Sequence, residues 1–128
     1  MQKTSFEVTM IGNYGTKKTQ VVEGYKVGIY TLHKVSSKNW VFSGNGVKLF
    51  EHISKDFGIK LLSKFESKFP NAINASGSLS IYDPNVRNDF WNFYYFVRDI
   101  ASKGGIKEYI EDRQKRLEML QEQLRNLK

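Results

Sequence analysis

The sequence predicts an α+β fold in which a small antiparallel β-meander packs on helices. Alternating apolar and polar residues, interrupted by turn residues, fill the first third of the 128-residue chain. Helix-period apolar patterns follow, among them a strongly aromatic helix and a long C-terminal helix with a heptad pattern. Strands grouped before helices are typical of the α+β class.

The first predicted element is a β-hairpin. Phe6, Val8 and Met10 alternate with polar residues, residues 12–15 have strong turn chemistry, and residues 19–23 can return as the partner strand. The tip of this hairpin carries Tyr14, Lys17 and Lys18. We predict that the tyrosine ring stacks on a base and that the lysines contact phosphates. An ordinary solvated hairpin tip is the alternative.

A second β-rich stretch covers residues 25–35 after Gly24, and a short strand follows at residues 40–42. The N-terminal third therefore predicts a meander of three or four strands. Alternation puts one set of side chains on one face, namely Tyr25, Val27, Ile29, Thr31 and His33. Tyr30 and Leu32 then share the other face with three lysines, namely Lys26, Lys34 and Lys38. Such a face can bind single-stranded nucleic acid, unless a helix covers it.

Apolar residues recur at helical spacing over residues 47–69, beginning with Val47, Phe50, Ile53 and Phe57. Either one helix tolerates Gly58, or two short helices meet there as in a helix-turn-helix. Three lysines recur on one face, namely Lys60, Lys64 and Lys68. We predict that they contact phosphates, the alternative being a solvated helix face. Residues 78–82 alternate and predict one more strand.

The aromatic helix is predicted to begin at Asp83 and to run to about residue 100. Asp83 can cap the first turn, and Pro84 suits the first helical position. One apolar stripe contains Val86, Phe90, Phe93, Val97 and Ile100, and further aromatic residues surround it. A helix that is apolar nearly all round predicts a central position in the fold.

The last predicted helix runs from about residue 106 to residue 127. Its apolar residues step by four and three and form a heptad seam, interrupted once by an arginine: Ile106, Ile110, Arg113, Leu117, Leu120, Leu124 and Leu127. The seam either folds back on the aromatic helix or pairs between chains, and we predict a homodimer through it. We accordingly divide the chain into a compact α+β domain at residues 1–103 and this helix at residues 104–128, which either belongs to the same domain or extends it for dimerisation.

The placement of charge predicts a polyanionic partner. The net charge is +7, and residues 1–70 hold eleven lysines against five acids. Residues 71–128 hold nine basic residues and eight acids. Lysine is a mobile point charge that suits phosphate attraction without base reading. Nucleic acid is therefore the predicted partner, the alternative being a generic basic surface.

The residue inventory predicts a non-enzymatic protein without a cofactor or metal site. The chain has no cysteine, and His33 and His52 lie in different predicted elements. No Ser-His-Asp spacing, phosphate-binding loop or H-E-x-x-H motif occurs in the sequence. No apolar run approaches ~18 residues, so we expect no membrane association, and the absence of cysteine fits a cytoplasmic location.

The sequence thus predicts a small, basic, dimeric nucleic-acid-binding protein with an accessory or regulatory role. Its composition is similar to that of many small, cysteine-free, Lys- and aromatic-rich proteins of mobile elements. The alternative is a protein-binding adaptor or inhibitor, for example an anti-defence protein that acts on a nucleic-acid-handling complex. Such a protein would turn its lysines toward an acidic protein face and its heptads toward the partner.

Overall fold

The computed structural model describes residues 2–11 and 15–127. Within these ranges, five strands precede three helices: β1 (Thr4–Ile11), β2 (Lys17–Val27), β3 (Tyr30–Ser36), β4 (Asn39–Gly44), β5 (Val47–Ile53), α1 (Lys55–Lys68), α2 (Pro84–Ser102) and α3 (Ile106–Asn126). The strands form one antiparallel sheet in chain order. The predicted α+β class and N-terminal meander are confirmed, with five strands in the described ranges where three or four were expected.

The first hairpin is confirmed, but Gly24 does not end its second strand. β2 continues to Val27, because Gly24 pairs with Thr4 on one side and with His33 on the other. A Cβ atom at Gly24 would collide with the backbone carbonyl of Leu32. Glycine is therefore required here because the strands approach closely, and not because the chain reverses.

The predicted faces of residues 25–27 relative to residues 30–34 were wrong, because the chain reverses between them. Gly28, with a φ of +60°, lies in a two-residue turn between β2 and β3. Tyr25 lies opposite Leu32 and Val27 lies opposite Tyr30, so that these four side chains share one face. A turn resets the alternation of side chains, which a continuous strand would have kept.

Residues 47–53 form β5 and not the predicted helix. Asn45 and Gly46 both have positive φ, at +47° and +86°, which is the geometry of a tight hairpin turn. Between Phe50 and Ile53, β5 carries one residue more than the facing part of β4, and His52 has a φ of +58°. This bulge puts two apolar residues spaced by three on the same face, which imitates helical spacing.

Helix α1 begins only after β5, where the Ser54 hydroxyl accepts a hydrogen bond from the Phe57 N–H at 3.2 Å. The helix continues through Gly58, which is buried against the side chain of Leu32. The alternative of two short helices that meet at Gly58 as in a helix-turn-helix was therefore wrong. The buried face of α1 packs on β2, β3 and β4.

The centre of the core is Phe65 of α1 rather than the aromatic helix. Its fully buried ring lies among the rings of the sheet and of α2, with centroid distances from 5.0 to 6.2 Å: Tyr30, Phe42, Phe50, Phe90 and Phe93. Many offset and tilted aromatic pairs therefore join sheet and helices in one cluster.

Helix α2 has the predicted start, and most of its predicted stripe is buried. The Asp83 carboxylate accepts from the Asn85 N–H at 2.9 Å, and Phe90, Val97 and Ile100 are buried. The helix packs on β5 and α1 by one side only, while Trp91 and Tyr95 remain exposed. Its predicted central position was wrong. Aromatic residues surround most of the helix, but those on its outer side, such as Trp91 and Tyr95, have no element packed against them in the described part of the chain.

Between α1 and α2, the predicted strand at residues 78–82 is only an isolated bridge between Ile73 and Leu79. After α2, Gly104 and Gly105 turn the chain into α3 at positive φ values of +100° and +141°. α3 has the predicted extent, and none of its described residues is buried. No described helix is long and apolar enough to cross a membrane.

Candidate nucleic-acid interface

The face of the sheet turned away from the helices forms an open groove with a volume of about 670 Å³. We call this the groove. Its apolar lining includes Phe6, Val8, Val22 and Val41 from β1, β2 and β4, and also Ile29 and Val35. The sheet is irregular in register between β3 and β4 and again between β4 and β5. Because bulges bend strands, these irregularities curve the sheet.

The floor of the groove combines an aromatic edge with polar side chains. The rings of Phe6 and His33 meet edge to face at 6.2 Å, and Thr31 and Ser43 lie beside them in the lining. The Nδ1 atom of His33 is enclosed and has no hydrogen-bond partner among the described residues. Burial lowers the pKa of His33, so that the imidazole is neutral near pH 7.

The edge of the groove carries three lysines and two acids. Lys48 forms an ion pair with Glu51 at 3.2 Å, whereas Lys26 and Lys34 have no ion-pair partner in the described part of the chain. Glu7 is the second acid of the lining. The free positive charge of the groove therefore comes chiefly from Lys26 and Lys34, and solvent-exposed ammonium groups of this kind suit phosphate contacts.

Two of the predicted lysines thus come together on one surface, since Lys26 and Lys34 both line the groove. Lys38 lies outside its lining, in the turn between β3 and β4, and Lys18 is exposed on β2. The backbone of Lys17 begins β2. Tyr14 lies outside the described residues, so its predicted stacking role stays a prediction.

The predicted stacking role of Tyr30 was wrong. Its side chain is fully buried on the helix-covered face, where it stacks on Phe42 at 5.7 Å and donates a hydrogen bond to the backbone oxygen of Phe69. The alternative, in which a helix covers Tyr30 and Leu32, is confirmed. Lys26 lies on the opposite face from Tyr30, because it pairs with Thr31 after the turn at Gly28. Lys34 keeps the alternation of Tyr30 and Leu32 along β3 and reaches the groove only at its edge.

The three lysines of α1 that were predicted as phosphate contacts lie on the other side of the sheet from the groove. Lys60, Lys64 and Lys68 are exposed, and the ammonium of Lys68 lies 5.6 Å from the centroid of the Phe93 ring. The sheet and the core would separate a nucleic-acid strand in the groove from these lysines. The predicted set of phosphate contacts therefore divides into two surfaces.

Sequence reasoning missed Phe6, Val41 and Lys48 as site residues. The signal that could have found them is the dipeptide Asn45-Gly46, a strong hairpin motif that makes residues 47–53 a strand. With five strands in order, alternation then places Val41 and Ser43 on the face opposite the core residue Phe42.

A second candidate surface is the predicted seam of α3. Its side chains keep about half of their surface exposed, from 49% to 54% for Ile110, Leu117, Leu120 and Leu124. α3 contacts α2 near the connecting turn, where the rings of Phe96 and Tyr109 meet at 5.8 Å. Folding back on α2 therefore leaves the seam uncovered.

Arg113, the charged residue of the seam, is held by its own helix. Its Nε atom donates to the Tyr109 hydroxyl at 3.1 Å, and its guanidinium carbon lies 5.3 Å from the centroid of the same ring. Asp112 beside it pairs with Arg116 at 3.1 Å and with Lys103 at 3.7 Å. These contacts tie the first turns of α3 to one another and to the end of α2.

Comparison of the sequence with family models and curated proteins, and of the fold with solved structures, finds no significant match. No group of three or more His, Asp and Glu side chains in the described ranges is placed to hold a metal ion. Function is therefore inferred from the residues and geometry of this chain alone.

Proposed function

We propose that this protein is a small, basic, non-enzymatic nucleic-acid-binding protein that takes a single strand along the groove. The observation that carries the proposal is the open sheet face itself, with an apolar floor that includes Phe6 and with Lys26 and Lys34 at its edge. Sheet faces of this kind bind single strands by stacking bases on rings and pairing phosphates with basic side chains. The net charge of +7 supports association with a polyanion.

A single strand is favoured over a duplex because of where the apolar groups lie. Phe6 is half-buried in the floor of a concave surface, and only an unpaired base can turn its flat face toward such a ring. The exposed lysines of α1, on the other side of the sheet, stay available for weaker phosphate contacts.

We further propose that two copies associate through the seam of α3, which gives a dimer with two grooves. Such a protein would act on nucleic acid in the cytoplasm in an accessory or regulatory role, because binding alone requires no catalytic groups. Burying a half-exposed leucine contributes about 1 kcal/mol, so the several such residues of each seam favour association. The cost of association opposes them and makes dimerisation dependent on protein concentration.

The test is fluorescence anisotropy with single-stranded DNA, single-stranded RNA and duplexes at 50 and 200 mM salt. If Lys26 and Lys34, the two unpaired lysines of the groove, each neutralise one phosphate, fourfold more salt weakens single-strand binding about sevenfold. The double variant Lys26→Glu/Lys34→Glu should weaken it by about tenfold or more. The matched control, Lys60→Glu/Lys64→Glu, makes the same charge change on the other side of the sheet.

Three results would contradict the proposed function. Binding that is indifferent to salt would exclude a phosphate-dominated mechanism. Equal losses in the two double variants would show that only total charge matters and that the groove is not the site. Absence of all binding at 50 mM salt would favour a protein partner over nucleic acid.

A second candidate function is a protein-binding adaptor or inhibitor, for example one that blocks a nucleic-acid-handling complex. It is favoured by the exposed aromatic pair on α2, where Trp91 and Tyr95 stack at 6.0 Å, together with the uncovered seam. Tryptophan and tyrosine are enriched where interfaces derive most of their binding energy. Truncation after Lys115 should abolish partner capture while the rest of the chain stays folded. Capture that survives the truncation would remove α3 from this function.

A further inference from the structure

We propose that α3 pairs with the α3 of a second copy in antiparallel orientation, with Leu117 facing the partner's Leu120. This inference rests on the proposed dimer and specifies its geometry. In this register Ile110 faces the partner's Leu127, and Arg113 faces the partner's Leu124. Every seam residue from position 110 onward then has an opposite number, and Ile106 lies outside the overlap.

The position of Arg113 is the first reason. In a parallel pair in register, residues at one seam position face their own copies, so the two guanidinium groups would meet in a desolvated layer. In the antiparallel pair the two Arg113 residues are offset by eleven residues, about 16 Å along the axis. That separation exceeds the Debye length of about 8 Å at physiological ionic strength.

The antiparallel pair also suits the contacts that Arg113 already makes. Its guanidinium stays with the Tyr109 hydroxyl at 3.1 Å, at the side of the seam where α3 meets α2. Its aliphatic stem then lies against the partner's Leu124, while the charged end remains near water. A long basic side chain can border an apolar seam in this way without being buried unpaired.

The charge of the rest of the chain is the second reason. Residues 1–105 hold fourteen basic residues and eight acids, a surplus of six, whereas residues 106–128 hold six and five. A parallel pair would place two such bodies at the same end of the helices. The antiparallel pair puts them at opposite ends, about 40 Å apart along the axis, which is several Debye lengths.

The flanks of the seam are compatible with close pairing of helices. Gln114, Gln121 and Gln123 border it with uncharged side chains, and Arg116 is paired with Asp112 on its own helix. The acids of α3 lie mostly on its other faces. No run of like charges therefore opposes the approach of a second α3.

Cysteine cross-linking can decide the orientation, because the chain has no cysteine of its own. Two single variants of the full chain are made, Ile110→Cys and Leu127→Cys, which leave Arg113 in place. In the antiparallel pair, copies of position 110 are about 25 Å apart, so neither variant cross-links with itself. An oxidised mixture of the two variants should give a covalent dimer, and each variant alone should not.

Light scattering on the unmodified chain separates this inference from the dimer on which it rests. A monomer at all accessible concentrations would overturn both. A dimer in which each cysteine variant cross-links with itself would establish parallel helices and overturn only the orientation. A dimer without any cross-link, alone or mixed, would place the interface elsewhere and overturn the seam.

A third variant tests the reason for the orientation. Arg113→Leu removes the charge that penalises the parallel pair, so self-cross-linking of Ile110→Cys should appear or rise several-fold in that background. A purely structural contribution of Arg113 would change the amount of dimer without changing which cysteines meet. Unchanged cross-linking in the Arg113→Leu background would contradict the role assigned to Arg113.

Discussion

The hydroxyl of Tyr30, at the start of β3, donates a 2.6 Å hydrogen bond to the backbone oxygen of Phe69, thirty-nine residues later. Phe69 caps the end of α1, so that this bond ties the sheet to the point where the chain leaves its first helix. Both side chains are buried. Tyr30, which the sequence predicted as a nucleic-acid contact, therefore stabilises the core.

Tyr30→Phe should lower the free energy of unfolding by about 1–2 kcal/mol. The ring keeps its packing, but the buried carbonyl of Phe69 loses its partner. Urea denaturation followed by circular dichroism measures the change. Tyr95→Phe removes the hydroxyl of an exposed tyrosine and should leave the midpoint unchanged. Equal effects of the two variants would contradict the structural role of the Tyr30 hydroxyl.

Stability should also fall at alkaline pH through Tyr30. Burial, and secondly the charge of Glu66, raise the pKa of Tyr30 above its ordinary value near 10. The folded chain therefore keeps the proton that the unfolded chain loses, and the stabilisation present below pH 10 declines as the pH rises above it. Unfolding midpoints between pH 8 and 11 should decline less steeply for Tyr30→Phe than for the unmodified chain. Parallel declines would exclude this contribution.

Gly58→Ala should destabilise the protein by about 1–3 kcal/mol, although alanine is the better helix former. The added methyl group collides with the buried side chain of Leu32. In a double-mutant cycle, Leu32→Ala should absorb part of the cost, since it removes the opposing atoms. Thermal unfolding of the four proteins measures the coupling. An increase in stability from Gly58→Ala alone would show that the helix and sheet can move apart freely.

Phe6→Leu should weaken single-strand binding about tenfold, because a base loses the ring on which it stacks. The substitution keeps an apolar side chain beside Gly24 and His33. Val35→Leu, at an exposed residue that also lines the groove, is the control for a change of volume without loss of a ring. Anisotropy titrations at 50 mM salt measure both. A tenfold loss in the control, or none in Phe6→Leu, would contradict stacking on Phe6.

Leu120→Lys should convert the proposed dimer to a monomer without unfolding the chain. The side chain is 51% exposed in a single copy, so that a charge there costs little until a second helix covers it. Met119→Lys, at an equally exposed apolar residue outside the seam, is the matched control. Sedimentation velocity measures association, and circular dichroism confirms the fold. Dissociation by both variants would mean that α3 associates without a defined seam.

The sequence by itself determined the elements whose signals are local. The alternation at residues 6–10, the cap formed by Asp83 and Pro84, and the heptads of α3 each depend on neighbours within a few turns or one strand, and each is found in the structure. The surplus of lysine in the N-terminal half is also evident from the sequence alone, and it supports the proposal of a nucleic-acid partner.

Only the tertiary structure decided which face each residue occupies. An apolar residue at every third position fits a helix as well as a bulged strand, and the bulge at His52 depends on pairing with β4. The reversal at Gly28 put Tyr30 in the core and Lys26 at the groove, since one turn shifts every later side chain to the other face. The ring cluster around Phe65 joins residues far apart in the chain, and no local pattern specifies such contacts.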